Sequence, residues 1–153
     1  MSASGANIDS AAYQAEYTAM VQPLVESPVI AVGLMSRRGA LTDMVVGKLG
    51  PSTYWALRAR AKRKAPGLPS SVMLAVTATH VHVFSHAFKK GKTVVTGEVA
   101  RWERNGMRVD ADQTRTCDVL LIALGDDTRF EFESMRGYDF NHPLFTELLP
   151  PVG

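Results

Sequence analysis

The sequence is short of cysteine and of long apolar runs, and each shortage excludes a class of protein. Cys117 is the only cysteine among 153 residues, which excludes an intramolecular disulfide framework and a cysteine-based zinc site. The longest uninterrupted apolar run is Val119–Leu124, far below the roughly 20 residues of a membrane-spanning helix. The first ten residues have neither the basic nor the apolar region of a signal peptide. We therefore expect a cytoplasmic protein.

The remaining composition is that of an ordinary globular domain. Hydrophobic residues make up 46% of the chain and charged residues 21%, which is the balance of a folded protein and not of a disordered one. The length falls within the usual range of about 100–200 residues for one domain. We expect one domain over residues 9–153, preceded by a small and polar segment, residues 1–8, that we expect to be disordered.

The first half of the chain has the pattern of two helices and one strand. Asp9 or Ser10 is suited to cap a helix that ends near Gln22, ahead of a proline. Residues 28–35 are rich in β-branched side chains and are predicted to form the first strand. A helix-start signal and a later Ala-Pro-Gly stop then predict a helix at 53–64.

From Ser71 onward the apolar period changes from that of a helix to two, which indicates strands. The predicted strands span residues 71–78, 80–86, 93–102, 106–111, 116–124 and 128–134. Asn105-Gly106 is the favoured pair of a type I′ hairpin turn. Asn141 is predicted to cap a final helix with Pro143 in its first turn. The pattern predicts an α+β fold with seven antiparallel strands, an N-terminal helix, a C-terminal helix and a helix inserted between strands one and two.

This element order, and the stretch Leu74-Ala-Val-Thr-Ala-Thr-His-Val-His-Val-Phe84, resemble the bacterial PH-like and GRAM-like domains of the pleckstrin-homology superfold. In those domains the second strand ends in threonine, turns tightly and re-enters through alternating apolar residues. The resemblance spans roughly residues 28–149. It implies a seven-stranded antiparallel barrel or sandwich with a C-terminal capping helix. It also implies a non-catalytic module that binds anionic lipid head groups, peptides or partner proteins.

The net charge of +2 conceals a strong separation of charge along the chain. Residues 37–64 carry eight basic and one acidic side chain, a local charge of +7, whereas residues 98–153 carry six basic and eleven acidic side chains, a local charge of −5. The electrostatic field of such separated charges attracts and steers partners of opposite charge. The candidate binding residues of the basic segment are Arg37, Arg38, Lys48, Trp55, Arg58, Arg60, Lys62, Arg63 and Lys64.

Four interpretations of the basic segment remain open at this point. It is the solvated face of a docked helix, a docking surface for a protein partner, a contact with anionic lipid at a membrane periphery, or a weaker candidate for nucleic-acid binding. Docking to a protein partner, as an accessory subunit of a larger assembly, is the leading hypothesis. Peripheral lipid binding through helix 53–64 is the alternative. The sequence leaves the oligomeric state open.

Motifs for catalysis or metal binding are weak. His80 and His82 share a strand face, but two imidazoles need a further ligand to form a metal site, and surface or edge-strand histidines are the favoured interpretation. Lys90-Gly91-Lys92-Thr93 ends like a phosphate-binding loop, yet a strand follows it, so we interpret it as a basic hairpin turn. We expect no enzyme activity, no cofactor and no metal.

Overall fold

The computed structural model describes residues 10–38, 68–136 and 139–150. The chain begins with helix α1 (Ser10–Val21), followed by a 3₁₀ turn (Gln22–Leu24). Seven strands follow, and a 3₁₀ turn (Asp139–Asn141) leads into the terminal helix α2 (His142–Leu148). The strands are β1 (Ala31–Arg37), β2 (Ser71–Val76), β3 (His80–Lys89), β4 (Lys92–Glu103), β5 (Arg108–Gln113), β6 (Cys117–Ala123) and β7 (Arg129–Met135). The expected α+β class with seven antiparallel strands is confirmed, while the expected helix at 53–64 and the N-terminal residues 1–8 lie outside the described residues.

The strands form one sheet in the order β4-β3-β2-β1-β7-β6-β5. Among the described residues the sheet is open, because β4 and β5 lie at opposite edges, so of the expected barrel or sandwich a closed barrel is not formed. The sheet is nevertheless strongly bent. The rings of Trp102 in β4 and Phe130 in β7 stack with centroids 4.3 Å apart, although four strand spacings separate these strands, about 19 Å in a flat sheet.

Two apolar clusters lie on the two faces of the sheet. The larger one fills the inside of the bend and includes Leu74, Trp102, Phe132 and Leu144 of α2. The smaller one joins α1 to the outer face of β1–β3 through Tyr17, Val21, Met73, Ala75 and Phe84. Because β2 contributes to both clusters, five of its six residues are buried, and this explains the near-continuous apolar run of its sequence.

Strand β1 has a neighbouring strand along only part of its length on the β7 side. It pairs with β7 at Ser36 and Arg37 alone. N-terminal to Ser36, two amide side chains form the hydrogen bonds with β1 that a neighbouring strand would otherwise make. Gln14 accepts from the Val32 N–H at 3.1 Å and donates to the Val32 carbonyl at 2.7 Å, so the backbone groups of β1 remain satisfied.

Asn141 makes the second of these contacts: it occupies the expected N-cap position of α2, but its side chain does not cap the helix. Its Oδ1 accepts from the Leu34 N–H at 2.8 Å, and its Nδ2 donates to the Leu34 carbonyl at 2.7 Å and to the Ser134 hydroxyl at 3.0 Å. It makes no side-chain capping bond to α2. The neighbouring Gly33 permits the close approach, because a Cβ there would lie 2.7 Å from Asn141 Oδ1 and 2.6 Å from Leu144 Cδ2.

The type I′ turn lies at a different place from the one predicted. Lys90 and Gly91 both have positive φ, 52° and 78°, and join β3 to β4 with the two-residue geometry of a type I′ hairpin. At Asn105-Gly106 only the glycine has positive φ, and the flanking strands β4 and β5 are not paired. The hairpin prediction at Asn105-Gly106 is therefore wrong. The chain crosses there from one edge of the sheet to the other.

Candidate functional site

The two edges of the sheet differ in regularity. Strand β4, at one edge, has register shifts against β3 next to Phe84 and next to His86, and such bulges twist an edge away from a flat template. Strand β5, at the other edge, pairs with β6 without interruption from Arg108 to Gln113. Among the described residues, β5 is therefore the regular edge at which a further strand can add.

The backbone groups that β5 leaves available can be identified from the ladder. The Thr114 N–H donates to the Cys117 carbonyl at 2.9 Å, and hydrogen-bonded pairs alternate with non-bonded pairs in an antiparallel ladder. Residues 108, 110 and 112 therefore direct their backbone groups towards β6. Those of Val109 and Ala111 point away from the sheet. The next outward N–H, that of Gln113, is occupied by the Asp112 carboxylate at 2.8 Å.

A groove runs beside the beginning of this edge, between β5 and the end of α2. Its volume is about 420 Å³, within the usual range of about 300–1,000 Å³ for ligand pockets. Its lining residues, which define the β5 groove, are Arg104, Met107, Arg108, Val109, Asp110, Leu148 and Pro150. Val109 and Leu148 also belong to the larger core cluster, so the apolar floor of the groove continues into the packed interior.

Arg104 holds the α2 side of this groove in place. Its Nη1 donates to the Thr77 carbonyl at 2.8 Å and to the Glu147 carboxylate at 3.1 Å, and its Nη2 donates to the Glu147 carbonyl at 3.2 Å. One guanidinium thus ties the end of β2 to the last turn of α2. The β5 side carries two exposed carboxylates, Asp110 and Asp112, which form no ion pair with any described residue. The edge therefore has a local negative charge.

A second cavity of about 430 Å³ borders the same end of β5. Its lining residues are Arg38, Arg108, Asp110, Leu121, Ile122, Ala123, Arg129, Phe130 and Glu131. Within it the Arg38 guanidinium is ion-paired with Glu131 at 2.6 Å. Arg108 is paired with Asp127 at 3.1 Å, on the exposed surface.

A histidine cluster lies on the α1 side of β3 and β4. His82 Nδ1 is 2.6 Å from Glu98 Oε2, and Arg101 Nη2 is 2.9 Å from Glu98 Oε1. Burial raises the pKa of Glu98, but the hydrogen bonds from Arg101 and His82 outweigh it and hold that pKa below its usual range. His82 stacks on Phe84, with centroids 6.3 Å apart. The imidazole is thus oriented by a carboxylate and packed on an aromatic ring.

The structure changes the interpretation of the two histidines. His82 is only 5% exposed and lies on an interior strand, so the expectation of a surface or edge-strand residue is wrong for it. His80 Nδ1 is 2.9 Å from the Thr79 hydroxyl. Within residues 10–38, 68–136 and 139–150, no group of three or more histidine, cysteine or carboxylate side chains is placed to hold a metal ion.

Of the predicted basic binding residues, the structure describes two. Arg37 is 5% exposed, and its Nε has no hydrogen-bond partner among the described residues. Arg38 is engaged with Glu131. The remaining residues lie outside the described part of the chain, and their binding role stays a prediction: Lys48, Trp55, Arg58, Arg60, Lys62, Arg63 and Lys64.

Comparison with known proteins gave no match to a protein-family model, to a curated protein or to a solved structure. The functional interpretation therefore depends on the residues of this chain. None of the helices in the described ranges is long and apolar enough to cross a bilayer.

The β5 groove was not predicted from the sequence. Segment 106–111 was recognised as a strand, but its neighbour along the chain, β4, is not its neighbour in the sheet. Alternating Asp110 and Asp112 mark one face as polar, yet this pattern is the same for an edge strand and for a half-exposed interior strand. Identifying the edge required the strand order.

Proposed function

We propose that this protein is a non-catalytic PH-like binding module, and that it docks an extended segment of a protein partner along the edge of β5. The observation that carries the proposal is the regular β5 edge beside the β5 groove. The strand order, with a terminal helix packed inside the bent sheet, supports the PH-like assignment. A strand added to β5 gains main-chain hydrogen bonds from the edge and side-chain specificity from the groove.

The free backbone groups set the register of the added strand. Val109 and Ala111 each offer an N–H and a carbonyl, so a partner residue placed opposite either one can form a pair of hydrogen bonds. Since Val109 also lines the groove, the partner segment is anchored by its backbone and by an apolar side chain at the same position.

The charges of the edge select the chemistry of the partner. Asp110 and Asp112 are exposed on one face of β5, and opposite charges directly across a strand pair are stabilising. The apolar groove residues Met107, Val109 and Leu148 lie beside the same edge. The preferred partner is therefore an extended segment in which apolar residues alternate with lysine or arginine.

The test is selection from a displayed library of random 12-residue peptides on the full chain, followed by affinity measurement on variants. We expect selected peptides to alternate apolar and basic residues. Ala111→Pro removes an N–H that β6 does not use, so the fold tolerates it, and we expect affinity to fall at least about tenfold because a hydrogen bond and the flat edge are lost. Ala111→Ser keeps the N–H and serves as the matched control.

Amide hydrogen exchange locates the contact. On peptide binding, the amides of Val109 and Ala111 should become protected, whereas those of β6, already bonded within the sheet, should change little. Equal affinity of the proline and serine variants would refute edge docking. Protection confined to residues away from β5 would do the same.

A further inference from the structure

The hairpin of β3 and β4 extends beyond the rest of the sheet as a two-stranded ribbon. Strand β3 pairs with β2 only over Val81–Phe84. Its remaining residues, Ser85–Lys89, pair with β4 alone, an extension of about 17 Å at the usual rise per residue. Burial decreases along the same stretch, from half-buried side chains at Ser85–Ala87 to exposed ones at Phe88 and Lys89.

The ribbon is anchored at its base by two side-chain contacts. His86 Nε2 is 3.1 Å from the Ser71 hydroxyl of β2. Val95, which is directly opposite His86 in the ladder, packs against the apolar cluster that joins α1 to the sheet. The tip is therefore presented by a supported hairpin with a tight type I′ turn, and not by a long loop.

The tip combines a single exposed aromatic ring with three cations. Phe88 is 75% exposed, more than any other large apolar residue of the described chain. Lys89, Lys90 and Lys92 surround it, all exposed. They form no ion pair with any described residue, and residues 87–93 contain no acid. An isolated exposed apolar residue is common, but one within an unpaired cluster of positive charge is not explained by packing.

We propose that this tip, Phe88 with Lys89, Lys90 and Lys92, binds the surface of a membrane that contains anionic phospholipids. The ammonium groups are attracted by the negative surface potential. The apolar ring enters the boundary between head groups and acyl chains, where interfacial anchors are buried. This surface is separate from the β5 groove, so the two proposals succeed or fail independently.

The chemistry of the tip favours a bilayer over nucleic acid. Binding of single strands uses several aromatic side chains on which successive bases stack, along a groove that follows the backbone. The tip instead is convex and has one ring, and its cations are all lysine, which acts as a point charge and lacks the bidentate geometry with which arginine recognises phosphate. A convex point with one apolar ring matches a soft, planar and negatively charged surface.

The experiment measures partition of the full chain onto vesicles of phosphatidylcholine with about 30% phosphatidylserine, which supplies the negative surface potential, by co-sedimentation. Lys89→Gln, Lys90→Asn and Lys92→Gln together remove the charge. Asparagine is chosen at position 90 because it tolerates the positive φ. Each lysine is expected to contribute about fivefold to the partition coefficient, so the triple variant should lower that coefficient about 100-fold.

The apolar contribution is tested separately. Phe88→Ser should weaken partition about tenfold or more, as expected for losing a buried aromatic side chain, while Phe88→Trp should maintain it. Arg115→Gln, which removes one exposed cation from the β5–β6 turn, should stay within about twofold, because its charge lies outside the tip. Partition of the wild-type chain should also weaken steeply with added salt, since the attraction between surface charges is screened.

Three outcomes would overturn the proposal. The wild-type chain does not partition onto anionic vesicles, or the tip variants partition as strongly as the Arg115→Gln control. In the third outcome, the chain binds an oligonucleotide more tightly than vesicles and loses that binding in the same tip variants, which would assign the surface to nucleic acid. Circular dichroism confirms in each case that the variants are folded.

Discussion

Replacement of Asn141 tests whether an amide side chain acts as the missing neighbour of β1. In Asn141→Leu the branching at Cγ is retained, but the three hydrogen bonds to Leu34 and Ser134 are lost. Asn141 is only 3% exposed, so water cannot readily replace it. Two orphaned backbone groups at roughly 1–3 kcal/mol each predict a loss of about 4 kcal/mol in the free energy of unfolding.

Asn141→Asp separates the donor from the acceptor contribution. The carboxylate still accepts from the Leu34 N–H, but it cannot donate to the Leu34 carbonyl, and a buried charge is added. Burial raises the pKa of such a carboxyl, and only its protonated form can donate. The destabilisation should therefore be complete above the folded-state pKa and decrease as the pH falls below it. The leucine variant should show no such recovery.

The assay is urea unfolding of the wild-type chain and both variants at neutral and acidic pH, with stability compared at each pH. Asn105→Ala, in an exposed turn, is the control and should change stability by less than about 0.5 kcal/mol. A loss below about 1 kcal/mol in Asn141→Leu would refute the role assigned to the amide, because it is less than the expected cost of even one unsatisfied buried group.

Two further predictions concern the same half of the sheet. Gly33→Ala places a methyl group 2.6 Å from Leu144 Cδ2 and should destabilise by about 1–3 kcal/mol in thermal unfolding. Gly97→Ala, which meets no atom within 4 Å, should be neutral or slightly stabilising, and equal losses would contradict the packing argument. Because the pKa of Glu98 is lowered, its ion pairing should stabilise the fold above the ordinary value of 4.5 and be lost as pH falls through the lowered pKa. The stability difference between wild type and Glu98→Gln should therefore shrink in acid. Glu103→Gln is the control on the same strand, because Glu103 forms no ion pair with a described residue. A difference that grows in acid would show that the pairing of Glu98 is misassigned.

The prediction of elements from the sequence succeeded where one local signal dominated. Period-two alternation located most strands after Ser71 to within a few residues, because they keep separate inward and outward positions. Strand β2 is the exception, since it is buried on both faces and was located by its short apolar run. Pro143 correctly indicated the start of α2. The prediction of a hairpin failed at Asn105-Gly106, because the strands on either side pair with other strands. The prediction of a side-chain cap failed at Asn141, because its amide bonds to the backbone of β1. A local propensity cannot show that β4 and β5 separate, or that Asn141 bonds to Leu34 across 107 positions.

The candidate surfaces divide in the same way. The sequence alone located the charge separation and the basic turn at Lys90-Gly91-Lys92, since these depend only on residues close together in the chain. It also determined the α+β class, through the period of its apolar residues. The tertiary structure alone decided that β5 is the free edge, that a groove lies between β5 and α2, and that Phe88 is exposed and not packed in the core. These outcomes depend on long-range strand order and on the bend of the sheet, and no segment of the sequence encodes either by itself.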